Sequence, residues 1–292
     1  MKLEAIDWSL QRCVEDLRRT YGNETSAHAF PSLYIWKTDM KLSLFRSQEV
    51  FAVQFGLRGD NSWFFPCGAR AAVRAFVEER LQQGGEPCRF YYAQAEEAAL
   101  LEQWFPGRFN IQRSPEDDEY LYSRQEQLEL KGRLYRHQRN DLRRAQERHA
   151  LQVFPVDTEN LEQCRKVLND WKALHHSRDQ SGLMDVSAGE TMLRNLKELK
   201  ISGVLVKVCG KPAAVAAGYP LTDTVFDLCV CQQTTPAPEI STFARYALFQ
   251  GLGEKILEIN AEEDLGITGL RSLKEGMRPS RKIEMYTCIQ QL

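Results

Sequence analysis

Residues 255–276 read KILEINAEEDLGITGLRSLKEG and form the most informative stretch of this sequence. A short apolar segment ends at Asn260, three carboxylates follow, and two glycines precede a helical pattern. Glycines allow a ligand to approach the backbone closely, and free N–H groups at a helix N-terminus favour an anion. Carboxylates at the end of a strand are also suited to act as a general base. The stretch therefore predicts either a ligand site or a tight turn that Asp264 or Thr268 caps.

A second informative stretch is residues 131–148, KGRLYRHQRNDLRRAQER, whose seven cations and two acids give a net charge of +5. The whole chain carries −2, which excludes a uniformly basic protein but not a basic face. Leucines at 130, 134 and 142, with Ala145, predict an apolar stripe that leaves the arginines on the other faces of a helix. Such arginines suit RNA backbone, nucleotides or lipid headgroups. The alternative is a solvated helix whose arginines pair with acids at 116–119 or one turn away.

The spacing of apolar residues in the first half predicts an α+β arrangement. A helix over residues 10–21 precedes β-like runs, and helices over 69–83 and 94–104 flank a strand over 88–92. The β-like runs are residues 32–36, 42–45, 50–55 and 62–65.

The second half repeats this alternation without any short sequence repeat. A long helix is predicted over residues 125–149, and the total length favours two domains, 1–122 and 123–292. The remaining predicted elements are strands over 151–154, 203–209, 213–219, 224–231, 255–259 and 283–288, and helices over 159–177, 189–199, 241–251 and from 266 onward.

Composition and cysteine usage indicate a folded intracellular protein. The chain is 43% hydrophobic and 27% charged, unlike a disordered chain, and its eight cysteines form no Cys-x-x-Cys pair. Cys229 and Cys231 alternate on a predicted strand, so we expect a buried, reduced pair on one face and no metal. The charged N-terminus lacks the apolar core of a signal peptide, and no run approaches the ~18 apolar residues of a membrane span. We therefore expect a cytoplasmic location.

Three blocks of this sequence form one recognisable pattern. They are Ala29-Phe-Pro-Ser-Leu-Tyr-Ile-Trp36; then Tyr120-Leu-Tyr, Leu130-Lys-Gly-Arg133, His137 and Arg139-Asn140; and finally Asn260-x-Glu262-x-Asp264-Leu-Gly266-x-x-Gly269-Leu-Arg271. Together they resemble a bacterial family named for its likeness to the C-terminal domain of phosphatidylglycerol lysyltransferase. The resemblance implies an α+β protein of two tandem GNAT-like acyltransferase domains, each with a mostly antiparallel mixed sheet flanked by helices. The Fem transferases, which take amino acids from aminoacyl-tRNA, share this architecture.

The sequence departs from such relatives at two places. GNAT enzymes that use acetyl-CoA carry a glycine-containing loop whose N–H groups hold pyrophosphate, whereas residues 232–239 read QQTTPAPE, without glycine and with two prolines. This loop argues against acetyl-CoA as the donor, and the resemblance to the Fem transferases leaves aminoacyl-tRNA as a candidate donor. The family also usually has Gly-Glu where this chain has Gly218-Tyr219, and His-x-Glu-Lys where it has Asp227-Leu-Cys-Val-Cys-Gln232.

The first functional hypothesis is an enzyme that transfers an aminoacyl or acyl group to an amine or hydroxyl. Glu262 or Asp264 is the candidate base, Asp227 and Glu239 are further candidates, and Arg271 or backbone donors near Gly266 would stabilise the oxyanion. The candidate ligand-binding residues are Lys131, Arg133, Arg136, His137, Arg139, Asn140, Arg143, Asn260, Gly266, Gly269 and Arg271.

Two other hypotheses assign a different function to the basic stretch. One is a non-catalytic module that binds RNA, a nucleotide or anionic headgroups through residues 133–144. The other is a lipid-modifying enzyme that attaches to a membrane surface through the same residues.

Overall fold

The computed structural model describes residues 2–83, 85–175 and 184–291, and the chain divides into two compact units. Unit 1 comprises Met1–Glu119, Glu263–Leu270 and Lys282–Leu292, and unit 2 comprises Tyr120–Glu262 and Arg271–Arg281. Two segments from the C-terminal part of the chain therefore belong to unit 1. The division into domains over 1–122 and 123–292 stays a prediction.

The described strands form two sheets. They are β1 (Glu4–Ala5), β2 (Leu42–Arg46), β3 (Val50–Phe55), β4 (Ser62–Phe64), β5 (Cys67–Gly68), β6 (Arg89–Gln94), β7 (Phe109–Arg113), β8 (Glu119–Ser123), β9 (Leu151–Pro155), β10 (Ser202–Val208), β11 (Lys211–Pro220), β12 (Val225–Gln233), β13 (Glu258–Asn260), β14 (Arg281–Ile283) and β15 (Met285–Gln290).

The described α-helices alternate with these strands. They are α1 (Gln11–Thr20), α2 (Phe30–Trp36), α3 (Arg70–Gln82), α4 (Ala95–Trp104), α5 (Arg124–Glu129), α6 (Arg136–Arg148), α7 (Leu161–His175), α8 (Met184–Arg194), α9 (Glu239–Gly251) and α10 (Thr268–Gly276). No helix in the described ranges has the length and apolar character needed to cross a membrane.

The sheet of unit 1 has the order β1-β2-β3-β4-β6-β15-β7, with β5 beside β3. Strand β4 runs parallel to β6, whereas β15 pairs antiparallel with both β6 and β7. Helix α3 makes the crossover that a parallel pair requires.

The sheet of unit 2 has the order β14-β8-β13-β12-β11-β10-β9. Strands β12 and β13 are parallel and are joined through α9, while the neighbouring pairs β13–β8, β12–β11, β11–β10 and β10–β9 are antiparallel. Each unit thus holds a mostly antiparallel mixed sheet with one β-α-β crossover, which confirms the predicted α+β class.

Packing of α9 onto its sheet follows from residue spacing. Ile240, Ala244 and Leu248 recur every fourth residue and are buried in one cluster with Phe226 and the alanines of β11. Strand β11 is buried along residues 213–219 because it is central in the sheet and covered on both faces.

Residues 32–36 form part of helix α2 rather than the predicted strand. Pro31 occupies the first turn, where its fixed φ suits a helix and its missing N–H costs nothing. Aromatic residues suggested a strand, but they serve helix packing: the Tyr34 ring stacks on Trp8 at 4.0 Å between centroids. The large apolar residues of this segment therefore follow a helical period and not the two-residue period of a strand.

The helix predicted over residues 125–149 is also wrong as a single element, because it is broken between α5 and α6. Leu130 (φ 47°) and Gly132 (φ 82°) turn the chain in left-handed conformations. Arg139 stabilises the turn, since its Nη1 donates to the carbonyl oxygens of Leu130 and Gly132. Among the remaining predicted helices, the end of the helix over 159–177 lies outside the described residues.

Candidate functional site

The parallel strands β12 and β13 separate at one point in the middle of the unit 2 sheet. Their pairing runs from Val225 with Glu258 to Asp227 with Asn260. There β13 ends, but β12 continues to Gln233. The chain beyond Asn260 stays beside β8, since the Tyr120 N–H donates to the Glu262 carbonyl at 3.2 Å. Asp227 therefore stands where β12 loses its neighbour on one side.

On its other side, β12 bulges against β11 at the same level. The register shifts between Ala217 and Tyr219, so that Tyr219 lies opposite Asp227. A Cβ atom built on Gly218 would lie 1.6 Å from the Asp227 carbonyl oxygen, a separation that only glycine permits. The bulge re-aims the side chains of β12, as bulges near active sites commonly do.

Four ionisable side chains gather around this point in unit 2. Asp227 and Tyr219 are almost wholly buried, and Glu262 and Cys229 are half-buried. Burial raises the pKa of Tyr219 well above its usual value, and the charges of Asp227 and Glu262 raise it further. Burial also raises the pKa of the Cys229 thiol, followed by the charges of Glu262 and Asp227. The phenol and the thiol are therefore protonated at neutral pH, beside two carboxylates.

Glu262 is held in place by its backbone. Its φ of 57° is uncommon outside glycine. The Asn260 Oδ1 accepts a hydrogen bond from the Glu262 N–H at 2.8 Å. The buried Lys274 donates from Nζ to the Ala261 carbonyl at 2.5 Å. These two bonds fix the turn that carries Glu262, and backbone conformations of this kind concentrate at functional sites.

The rest of the predicted turn belongs mostly to unit 1. Asp264 is fully buried, and its Oδ1 accepts a hydrogen bond from the Gly266 N–H at 2.9 Å. The Asp264 carbonyl accepts from the Ile267 N–H, so this residue organises the turn before α10. The Gly266 N–H is thus already bonded, which argues against its use for an oxyanion. Gly269 has open space around its Cα, and Arg271 is exposed on α10 in unit 2.

Part of the basic stretch is engaged in local contacts. The buried Asp141 pairs with His137 Nδ1 at 3.1 Å and with Arg144. Lys131 pairs with Glu129 at 3.0 Å. The contacts of Asp141 match the solvated-helix interpretation, in which cations pair with acids one turn away. Arg139 instead donates to the backbone of the Leu130 turn.

Three arginines of the stretch are different. Arg133, Arg136 and Arg143 are exposed, and no side-chain hydrogen bond or ion pair links them to any described residue. Arg136 and Arg143 are seven residues apart on α6, so they share one face, with Asn140 between them. Leu134 is 66% exposed, which shows that the predicted apolar stripe does not include it. These arginines remain candidates for binding phosphate groups.

The start of α9 does not fit the pyrophosphate of acetyl-CoA. Pro236 and Pro238 offer no N–H, and Pro238 is the N-cap. The Glu239 carboxylate accepts from its own backbone N–H, which is the main reason for its lowered pKa, and it lies 3.4 Å from His149 Nε2. A helix N-terminus that already holds a carboxylate repels a second anion.

Sequence reasoning missed Tyr219 and placed Cys229 wrongly. Cys229 contacts Met192 of α8, whereas Cys231 contacts Ser241 and Arg245 of α9. The two thiols do not share one face as predicted, because the bulge interrupts the alternation of β12. Gly218 was the available signal, since glycine inside a strand pattern indicates a bulge or a close backbone approach.

Asp117 and Tyr92 of unit 1 also have raised pKa values. Burial raises the pKa of Asp117 to about 7, with Glu263 as the next cause. The Leu265 N–H donates to the Glu116 carbonyl at 3.0 Å, which keeps the segment of Glu263 against this turn. The nearby Tyr92 phenol has its pKa raised by burial and then by Glu263 and Asp117.

Replacing Asp117 by asparagine is expected to stabilise the protein at pH 8 and to change little at pH 4. The unfolded chain loses the Asp117 proton near the ordinary value of 3.8, whereas the folded chain keeps it to about 7. Folding stability is therefore lost as pH rises through this window, and asparagine removes the loss. Urea unfolding should show a gain of about 1–3 kcal/mol at pH 8. An equal gain at both pH values, or a similar gain in Glu116→Gln, would contradict this.

Comparison with known proteins places the chain among its relatives. A family model described as phosphatidylglycerol lysyltransferase, C-terminal, matches residues 18–289. The chain belongs to this family. A search of curated proteins gave no match.

Solved structures share the fold. A conserved protein of unknown function from Bacteroides thetaiotaomicron VPI-5482 is 20% identical, with 100% of both chains covered and a TM-score of 0.90. L-PGS from Bacillus licheniformis is 16% identical, with 98% of this chain and 93% of that chain covered and a TM-score of 0.64. FemX is 8% identical, with 98% and 97% covered and a TM-score of 0.63. At these identities the likeness concerns the fold, which consists of two tandem GNAT-like units.

Proposed function

We propose that this chain transfers an aminoacyl group from an activated ester to an amine or hydroxyl acceptor, at the point where β12 and β13 separate. Family and fold support an aminoacyl or acyl transferase. The observation that carries the proposal is the meeting of Asp227, Tyr219 and Glu262 in unit 2, with Glu262 on a turn fixed by Asn260 and Lys274.

The carboxylates supply the base. Attack on an ester requires the acceptor amine or hydroxyl to lose a proton, and Glu262 is half-buried at a strand end where an acceptor can reach it. Asp227 is fully buried, so its charge acts on the neighbouring groups rather than on solvent. We assign the base to Glu262 and the electrostatic support of the site to Asp227.

The phenol supplies a neutral dipole. Because its pKa is raised, Tyr219 keeps its proton, and since it is as buried as Asp227 we assign it to support of the oxyanion from within the fold rather than to contact with the ester. Attack by the acceptor forms the new C–N or C–O bond, and collapse of the tetrahedral intermediate breaks the bond between the carbonyl carbon and the ester oxygen of the donor. The leaving hydroxyl takes the proton that Glu262 received, so the site returns to its starting state.

Aminoacyl-tRNA is the donor that fits these residues. The start of α9 does not suit acetyl-CoA, because of its prolines and the carboxylate of Glu239. Arg133, Arg136 and Arg143 offer exposed guanidinium groups that suit a phosphate backbone.

A comparison of donors tests this proposal. The protein is incubated with tRNA charged with labelled amino acids, or with labelled acetyl-CoA. Phosphatidylglycerol vesicles or a soluble peptide amine serve as acceptors. We expect label to pass from tRNA to one acceptor at least tenfold faster than in the absence of protein, and no acetyl transfer. Acetyl transfer would contradict the donor assignment.

The second candidate function is a binding module without catalysis, which the three exposed arginines favour on their own. It predicts RNA or vesicle binding that weakens with salt and no transfer from any donor. Replacing Arg133, Arg136 and Arg143 by glutamine would lower the affinity and the salt dependence together. Transfer from charged tRNA would exclude this function.

A further inference from the structure

A small cavity in unit 2 lies between α6 and α9, and none of its lining residues belongs to the candidate site. Arg245, Thr242 and Phe249 of α9 line one side, and Gln138 and Leu142 of α6 line another. The space between these side chains, including its open mouth, is about 270 Å³. Much of this volume is open to solvent, so the part that the side chains enclose suits a single small polar group rather than a whole drug-sized ligand.

Arg245 brings a buried positive charge to this cavity. Its side chain is 6% exposed. Its guanidinium donates to Thr242 Oγ1 at 3.2 Å and to Cys231 Sγ at 3.7 Å, both of them uncharged. Among the described residues, no carboxylate forms an ion pair with it. Buried arginines are normally paired with an anion, so this charge lacks its usual complement.

Gln138 brings a buried acceptor to the same cavity. The side chain is 8% exposed, and its Nε2 donates to the Gly276 carbonyl at 3.2 Å. That bond fixes the orientation of the amide, because the reverse orientation would place two oxygens together. The Oε1 atom is then buried and has no hydrogen-bond partner among the described residues. Buried polar atoms are rarely left unsatisfied, and such an atom calls for a partner.

We propose that this cavity binds a small anion that also carries a hydrogen-bond donor. A carboxylate or phosphate oxygen pairs with Arg245, and an N–H or O–H group of the same ligand meets Gln138 Oε1. Leu130, Leu142 and Phe249 supply apolar walls that limit competition from water. Two sources share this chemistry, a free α-amino acid and a hydrogen phosphate. The site is separate from the proposed transferase chemistry and does not depend on it.

Calorimetric titration of the intact protein tests the proposal. The probes are glycine and inorganic phosphate, each an anion with a donor. Acetate supplies an anion without a donor, and glycinamide supplies donors without an anion. We expect glycine or phosphate to bind at least tenfold more tightly than both comparison compounds, and the tighter of the two identifies the source.

Two variants and a control locate the binding. Arg245→Met should weaken the binding at least tenfold, and Gln138→Leu should reduce it to the level of acetate. Arg148→Met removes an exposed arginine of α6 and should leave it unchanged. The proposal is overturned if neither glycine nor phosphate binds more tightly than the comparison compounds, or if the folded variants bind as the wild type does. If Arg245→Met does not fold, Gln138→Leu decides: binding kept at the wild-type level overturns the proposal.

Discussion

Replacing Gly218 by alanine is expected to lower the free energy of unfolding by about 3–5 kcal/mol, the largest stability effect in unit 2. The added Cβ would lie 1.6 Å from the Asp227 carbonyl oxygen and 2.8 Å from Phe226 Cε1. The first of these is a backbone atom of a central strand, so relief requires β11 and β12 to move apart. Such movement breaks ladder hydrogen bonds and exposes the alanine-rich face packed on α9.

Urea unfolding measures this effect, and Gly251→Ala is the matched control. A Cβ built on Gly251 meets nothing within 4 Å, and the residue lies in α9, where alanine is favoured. The control should keep or slightly raise the stability. A loss below about 1 kcal/mol in Gly218→Ala would show that the bulge tolerates a side chain and is not fixed by close packing.

Much of the unit 2 sheet was predictable from residue patterns. The strands over 203–209, 213–219 and 224–231 lie within β10, β11 and β12 to within a few residues, because each alternates or runs apolar between clear turns. The turn between β10 and β11 lies at Cys209 and Gly210, both of which have positive φ. Asn260 and Glu262 were also named as site candidates from the end of a strand. These two residues could be named as candidates because the end of the strand and the carboxylates after it are visible in the local sequence.

The features of the site that the sequence did not predict depend on pairing between distant strands. Nothing local shows that Asp227 lies level with Asn260, since 33 positions separate them and only the parallel register brings them together. Tyr219 stood out only as a departure from the Gly-Glu that relatives usually have, and its proximity to Asp227 arises from a bulge. For Asp264, the sequence left a choice between base and cap, and the Gly266 hydrogen bond favours the cap.

The basic stretch, residues 131–148, shows a second limit of prediction from sequence. Charge counts treated all its cations alike, but three-dimensional contacts divide them. Arg139 and Arg144 are used within the fold, the first at a left-handed turn and the second beside Asp141. The difference lies in whether a buried partner is within reach, which spacing alone does not reveal.

Replacing Glu262 by glutamine is expected to give the largest loss of function. Glutamine keeps the size of the side chain and removes the carboxylate that accepts the acceptor's proton. Loss of a general base slows the chemical step by about 10²–10⁴-fold. The backbone bonds from Asn260 and Tyr120 involve main-chain atoms of residue 262, so the fold should survive the change.

The neighbouring Glu263→Gln is the matched control, because it makes the same chemical change one residue along. Glu263 belongs to unit 1, where its charge acts on Asp117 and Tyr92 rather than on the phenol of Tyr219. Thermal unfolding of both variants verifies that they are folded before their rates are compared.

The most direct test of the site is a single-turnover measurement of transfer from aminoacyl-tRNA, with protein in excess over the donor. Under these conditions the rate reports the chemical step rather than product release. The site proposed at the end of β13 predicts a rate at least about 100-fold lower for Glu262→Gln and within a few fold of wild type for Glu263→Gln. Wild-type rates in folded Glu262→Gln would contradict the assignment of catalysis to the point where β12 and β13 separate.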